Sequence, residues 1–216
     1  MHVIDRRSLK HDPAKMGALD ERGRLIVHPA QYWRQFSQVE IYAFCVERGI
    51  YCVPTSELVA WLQREIVRQF DTIEIGAGNG VLAEALGVVA TDNKMQLWPE
   101  IVDYYQLINQ ATISYGPNVV EYSADEAVQK LKPEVVIGAW VTHRYDSQQH
   151  WRGGNAHGVL EEEILKHARY CFIGNRAVHG TKPIMARDHQ EYTFPWLVSR
   201  GMSEAENFIA VWKKSP

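Results

Sequence analysis

The stretch Thr72-Ile-Glu-Ile-Gly-Ala-Gly-Asn-Gly-Val-Leu-Ala-Glu-Ala-Leu86 decides the fold. A short apolar run over 72–75 passes directly into glycines at 76, 78 and 80, and these open a helical pattern over 81–86. Strand, glycine turn and helix in immediate succession aim the helix's unpaired N-terminal N–H groups at the carboxyl end of the strand, where a ligand can meet them. Glycine serves such a turn because it takes positive φ at no steric cost and has no side chain to hold a ligand off the backbone. The expected ligand site is the carboxyl edge of the sheet, between this strand and its neighbours.

The same grammar continues downstream. Strands are expected over 88–91, 118–122, 134–140, 170–174 and 207–212, and helices over 98–109, 125–131, 159–168 and 188–200. Short apolar runs alternating with amphipathic helices predict βαβ units: an α/β, doubly wound, mainly parallel sheet with helices on both faces. Upstream, Tyr32, Phe36, Val39, Ala43 and Val46 recur at helical spacing until Gly49 stops them. A second helix follows, with Thr55 as its cap, Glu57 in the first turn, and Leu58, Trp61, Leu62 and Ile66 on its buried side. Residues 1–28 read as a solvated, extended arm with a short turn of helix. The expected organisation is an arm and helical cap over 1–68 and the ligand-binding domain over 69–216.

Composition narrows the function. With 46% hydrophobic and 23% charged residues in 216, the chain is of globular type rather than disordered. A net charge of −3 provides no field for phosphate backbones or anionic lipid, so neither nucleic acid nor membrane is an expected partner. The longest apolar run, 135–141, is far below the ~18 residues of a membrane span, and the first residues lack the apolar stretch of a secretion signal. Cys45, Cys52 and Cys171 are odd in number and carry no CxxC spacing, which suits the cytoplasm and thiols used as small apolar residues.

A dinucleotide fingerprint requires Gly or Ala where this chain has Val81. The spacing Glu74-x-Gly76-x-Gly78-x-Gly80 instead resembles the first motif of the Rossmann-like S-adenosylmethionine-dependent methyltransferases. The second strand ends in Asp92, and Ser123-Ala-Asp125 follows the third, which extends the resemblance over roughly residues 55–216. It implies a seven-stranded, mainly parallel sheet with an antiparallel last strand and an N-terminal helical cap. It also implies S-adenosylmethionine as cofactor, held by Glu74, Gly76, Ala77, Gly78, Asn79 and Gly80, with Asp92 and Asn93 at the ribose. Ala124 and Asp125 would then stand beside the adenine, and Ala139 and Trp140 beside the methionine moiety. One departure is the eleven residues between Gly80 and Asp92, about one helical turn fewer than the family leads one to expect.

Methyl transfer from a sulfonium needs in-line placement and, for hydroxyl or ammonium acceptors, a base. The loop over 141–158 is long, polar and glycine-containing, as a lid or specificity element would be. His143 is the expected base, with Asp146 beside it; Tyr145, and His179 and Lys182 from a second loop, are expected to face the acceptor. No metal is expected, because His143, His150 and His157 at an even spacing of seven impose no ligand geometry. The Asn/Asp-Pro-Pro-Tyr/Phe motif of amino-methylating DNA enzymes is replaced here by Gly138-Ala-Trp-Val-Thr142, and no Pro-Cys nucleophile of the cytosine-C5 enzymes is found. The expected acceptor is therefore a small molecule or an exposed protein side chain, and a homo-oligomer is compatible with the sequence. Two alternatives stay open: a non-catalytic module that binds the same nucleoside or a protein partner, and a nicotinamide-dependent oxidoreductase.

Overall fold

A computed structural model describes residues 9–146, 148 and 153–215. In chain order it contains α1 (Ala30–Trp33), α2 (Gln38–Glu47), β1 (Cys52–Val53), α3 (Ser56–Leu62), β2 (Thr72–Ile75), α4 (Val81–Leu86) and β3 (Val89–Asp92). These are followed by α5 (Pro99–Leu107), β4 (Val119–Glu121), α6 (Ala124–Leu131), β5 (Val135–Ala139), α7 (Glu161–Leu165) and β6 (Arg169–Asn175). The chain ends with α8 (Arg176–His179), β7 (Gln190–Tyr192), β8 (Val198–Ser199) and β9 (Asn207–Trp212).

Seven strands form one sheet in the order β4-β3-β2-β5-β6-β9-β7. β2, β3, β4, β5 and β6 pair in parallel, and β9 runs antiparallel to both β6 and β7. The strand order reverses between β2 and β5, and such a switch point opens a crevice at the carboxyl ends of the strands. β2 is buried along its whole length because helices cover both faces. Ile73, Ile75 and Val136 pack against Ala127 and Val128 of α6 and Ile164 and Leu165 of α7. On the opposite face, Val135 and Ile137 meet Leu58 and Leu62 of α3 and Leu82 and Leu86 of α4. No helix among the described residues is long and apolar enough to cross a membrane.

Three local expectations are corrected. The segment 188–200, expected to be helical, supplies β7 and β8 instead. Tyr192 ends β7, and Phe194 and Trp196 follow it at a spacing of two, their rings stacking on one another at 6.3 and 4.3 Å beside Trp61, which holds the segment extended rather than helical. The single helix expected from Tyr32 to Val46 is two, broken at Ser37. There the Ser37 hydroxyl accepts the Glu40 N–H while the Glu40 carboxylate accepts the Ser37 N–H at 2.7 Å, a capping box that starts α2 afresh. The arm is not solvated throughout either. Ala18 and Leu25 are buried against Trp33, Phe36, Ile41 and Phe44, in a cluster that reaches Val81 of α4 and Val198 of β8.

Candidate functional site

A cavity of about 340 Å³ opens at the carboxyl edge, where β2, β3 and β5 end. Its floor is the glycine turn. Gly76, Gly78 and Gly80 all have positive φ, at +57°, +55° and +70°. They are not equivalent. A Cβ on Gly76 would stand 2.5 Å from Val141 Cγ1, and one on Gly80 would stand 2.7 Å from Asn118 Oδ1. At Gly78 the nearest atoms are 3.5 Å away on Ile113, so a side chain there would project into the cavity. The turn is held by hydrogen bonds from Ala77 N–H to the Thr91 carbonyl at 3.0 Å and from Val81 N–H to Asn79 Oδ1 at 3.1 Å.

Two carboxyl groups face this floor. Glu74 Oε2 accepts the Ala83 N–H at 2.8 Å, which fixes α4 to β2. Burial pushes the Glu74 carboxyl up to about 8, against the pull of that bond, so the protonated form predominates at neutral pH. Asp92 accepts the Gly78 N–H at 3.0 Å and the Lys94 N–H at 2.8 Å, and the neighbouring Tyr115 hydroxyl also favours its charged form. Burial raises its pKa, while these donors oppose the rise. A carboxylate has about four lone-pair sites, so with two taken by backbone donors about two remain for a ligand.

The rest of the donor-site set divides cleanly. Ala77, Asn79, Asn93, Ala124, Ala139 and Trp140 also line the cavity. Gly80 stands behind it as the N-cap of α4, and Asp125 is ion-paired at 3.0 Å with Arg144, which does line it. Trp140 takes a left-handed backbone at φ +60° and donates its N–H to the Ile173 carbonyl at 2.9 Å, so the chain turns sharply where β5 ends.

The residues expected at the acceptor do not line this cavity. His143, Asp146, Tyr145, His179 and Lys182 are not among the cavity-lining residues. His143 is buried under the returning loop and pairs with Val159, and burial followed by the nearby Lys182 charge lowers its pKa. His179 accepts the Asn175 N–H through Nδ1 at 3.0 Å and packs edge-on to Trp140; burial lowers its pKa to about 3, keeping the ring neutral. Lys182 is ion-paired to Glu161 at 2.6 Å, the two side chains only 2% and 1% exposed, and donates to the Val141 carbonyl at 2.9 Å. Tyr170 donates to the same Glu161 oxygen at 2.8 Å. This buried network anchors the chain just beyond Trp140. His150 lies outside the described residues.

Several wall residues escape sequence reasoning. Tyr51 and Cys52 come from the segment joining α2 to α3, Tyr105 from α5, and Gln96, Ile113 and Tyr115 from the connections flanking α5. His157 closes the mouth from the long loop, its carbonyl accepting from Asn93 Nδ2 at 3.3 Å and its ring edge-on to Trp98. No spacing rule links positions so far apart in the chain.

No protein-family model matches this sequence, and no curated protein matches it. Among solved structures, the chain is similar to the ribosomal protein L11 methylase of Lactobacillus delbrueckii subsp. bulgaricus, at 13% identity over 74% of this chain and 79% of that one, TM-score 0.35. It is similar to the CurJ carbon methyltransferase at 11% identity over 74% and 53%, TM-score 0.37. It is also similar to a protein provisionally assigned as a methyltransferase and solved with SAH, at 7% identity over 72% and 48%, TM-score 0.39. The chain spans about half the length of the last two. These likenesses are distant, and the α/β assignment rests on the strand order of the sheet itself.

Proposed function

We propose that this protein is an S-adenosylmethionine-dependent methyltransferase whose acceptor is a small molecule or an exposed side chain. The observation that carries the reading is Gly78: a positive-φ glycine at the switch point, facing open cavity, with the acid that ends the next strand bonded to its amide. The residues fit the cofactor. The bare turn admits close backbone approach, Asp92 offers carboxylate oxygens to a ribose diol, and Ser123 and Ala124 offer the adenine a wall at the end of β4. When bound, the cofactor supplies an electrophilic methyl on a sulfonium, so neither metal nor covalent intermediate is required.

The chain's own part is to bind, orient and exclude water. Asp92 would offer the diol the lone pairs left by its two backbone donors, or exchange its bond with Gly78 for it. Glu74, uncharged at neutral pH, avoids leaving a bare charge in the wall. Trp140 and Val141, fixed by Lys182 and Glu161, set the end of the cavity where the acceptor approaches. His143 has no part in this mechanism because it does not line the cavity; the imidazole that does line it is that of His157, at the mouth.

Calorimetric titration tests the reading. One equivalent of S-adenosylhomocysteine is expected to bind, NADH is not, and Gly78→Val is expected to abolish the S-adenosylhomocysteine signal while the variant stays folded. Absence of binding by both S-adenosylmethionine and S-adenosylhomocysteine would overturn it.

A further inference from the structure

The cap-side wall of the cavity carries a donor with no acceptor. Ile113 N–H bonds to Gln96 Oε1 at 2.8 Å, which fixes the orientation of that amide. Its Nε2 then donates to the hydroxyl oxygen of Tyr105 at 3.1 Å and of Tyr51 at 3.4 Å. The two hydroxyl oxygens are themselves 2.9 Å apart. Two hydroxyls have two protons, and only one can lie between them. The other has no acceptor among the described residues, and both phenols line the cavity. Burial pushes the Tyr105 phenol up, so it keeps its proton at neutral pH.

The charges of the wall are already committed. Among the described lining residues the carboxylic acids and strong bases are Glu74, Asp92 and Arg144. Glu74 is mostly uncharged, Asp92 accepts from two backbone amides, and Arg144 is paired with Asp125. Around the tyrosine pair the surfaces are aromatic: the Trp140 ring lies 6.4 Å from that of Tyr51, as an adjoining and tilted wall. Arg200 stacks on the Tyr51 ring at 4.3 Å and is hydrogen-bonded to Gln110. A cationic ligand would be desolvated here without a free counter-charge, and an anionic one would find only Arg200, which stacks on Tyr51 but does not line the cavity, whereas a flat neutral one would gain ring contact and satisfy the spare proton.

We propose that the methyl acceptor is an uncharged planar ring compound bearing a hydrogen-bond acceptor, seated against Tyr51 and Trp140 and bonded by the Tyr51–Tyr105 hydroxyl pair. This rests on the methyl-transfer reading, so the experiment separates the two. S-adenosylhomocysteine is first titrated calorimetrically. With it saturating, so that the nucleoside region is filled, four probes of matched shape are titrated near neutral pH: quinoline, naphthalene, N-methylquinolinium and 2-naphthoate. Quinoline is expected to bind about fivefold or more tighter than naphthalene, which lacks the acceptor atom. Both ions are expected to bind about tenfold or more weaker than quinoline. In Tyr51→Phe/Tyr105→Phe, shown to be folded by retained S-adenosylhomocysteine binding, the preference for quinoline over naphthalene should largely disappear. If that variant does not fold, the wild-type series alone decides. Should S-adenosylhomocysteine bind while an ion matches quinoline, or naphthalene equals it, the acceptor inference is overturned and methyl transfer stands. Failure of S-adenosylhomocysteine to bind overturns both.

Discussion

The backbone N–H of Gly78 donates to Oδ2 of Asp92 at 3.0 Å, joining the middle of the glycine turn to the acid that ends the neighbouring strand. A ribose diol at Asp92 must therefore share the carboxylate with the turn's own amide and with Lys94 N–H. Asp92→Ala should weaken S-adenosylhomocysteine binding by roughly 1.5–3 kcal/mol, the range for hydrogen bonds to a charged group. It should also lower thermal stability, because two backbone donors lose their acceptor. Tyr115→Phe removes a neighbouring hydroxyl without touching either backbone donor and should leave affinity equal or higher. Calorimetry and a melting curve read both variants; unchanged affinity in Asp92→Ala would contradict the assigned role.

Gly78 and Gly80 should respond differently to the same substitution. Both have positive φ, so alanine at either costs about 1–2 kcal/mol of backbone strain. At Gly80 a Cβ also meets Asn118 Oδ1 at 2.7 Å and Val119 Cγ2 at 2.8 Å, whereas at Gly78 it enters the cavity. Gly80→Ala is expected to lose more stability, and Gly78→Ala more affinity. Urea midpoints beside S-adenosylhomocysteine titrations check the contrast, and a common ranking on both scales would sink it.

The same contrast shows what the sequence discloses. β2, α4 and β9 occupy the residues the pattern predicts, because continuous apolar runs and a glycine turn are local signals. β7 at Gln190–Tyr192 is only three residues long and flanked by charged residues, too short for a period of two to show, and the stacked Phe194 and Trp196 lie beyond its end. The break at Ser37 has a local cue too, Ser followed three residues later by Glu, inside a stripe that keeps helical period across it. Residues ending strands could be assigned to the cavity because the βαβ rule sends all such ends to one edge. Tyr51, Tyr105 and Gln96 could not, since only the folded cap and the placement of α5 bring them together. His143 follows β5 closely in sequence, yet the left-handed turn at Trp140 and the bridge to Val159 leave it outside the cavity lining.

Glu74 and His179 tilt stability in opposite directions with pH. The Glu74 carboxyl is raised by burial from 4.5 to about 8, so the native state holds its proton more tightly than the unfolded chain. Its contribution is full below about pH 4.5 and is lost as pH rises towards about 8. His179 is lowered from 6.5 to about 3, so its contribution is full above about pH 6.5 and is lost as pH falls towards about 3. In Glu74→Gln the amide oxygen can still accept the Ala83 N–H, and the decline in urea midpoint between about pH 5 and 8 should flatten. In His179→Gln the acid-side decline should flatten instead. Parallel profiles for either variant and the wild type would refute the corresponding assignment.

The buried pair Lys182–Glu161 should be far more sensitive to losing one member than to losing both. Burial lowers the Lys182 pKa, while Glu161 at 2.6 Å and a Phe172 ring 3.8 Å from Nζ favour the charged form. Lys182→Met leaves Glu161 enclosed with only the Tyr170 hydroxyl, and breaking such a pair costs about 3–5 kcal/mol. Lys182→Met/Glu161→Gln removes both formal charges and retains an acceptor for Tyr170, so its loss should be smaller than that of the single substitution. Urea unfolding of the two singles and the double completes the cycle. In both lysine variants the Val141 carbonyl loses its donor, and the Val141 side chain is what fills the space beside Gly76. S-adenosylhomocysteine affinity should therefore fall in the double variant even where stability is largely recovered. A double that regains stability and binds as the wild type does would show that the pair holds the core alone, without setting the cavity wall.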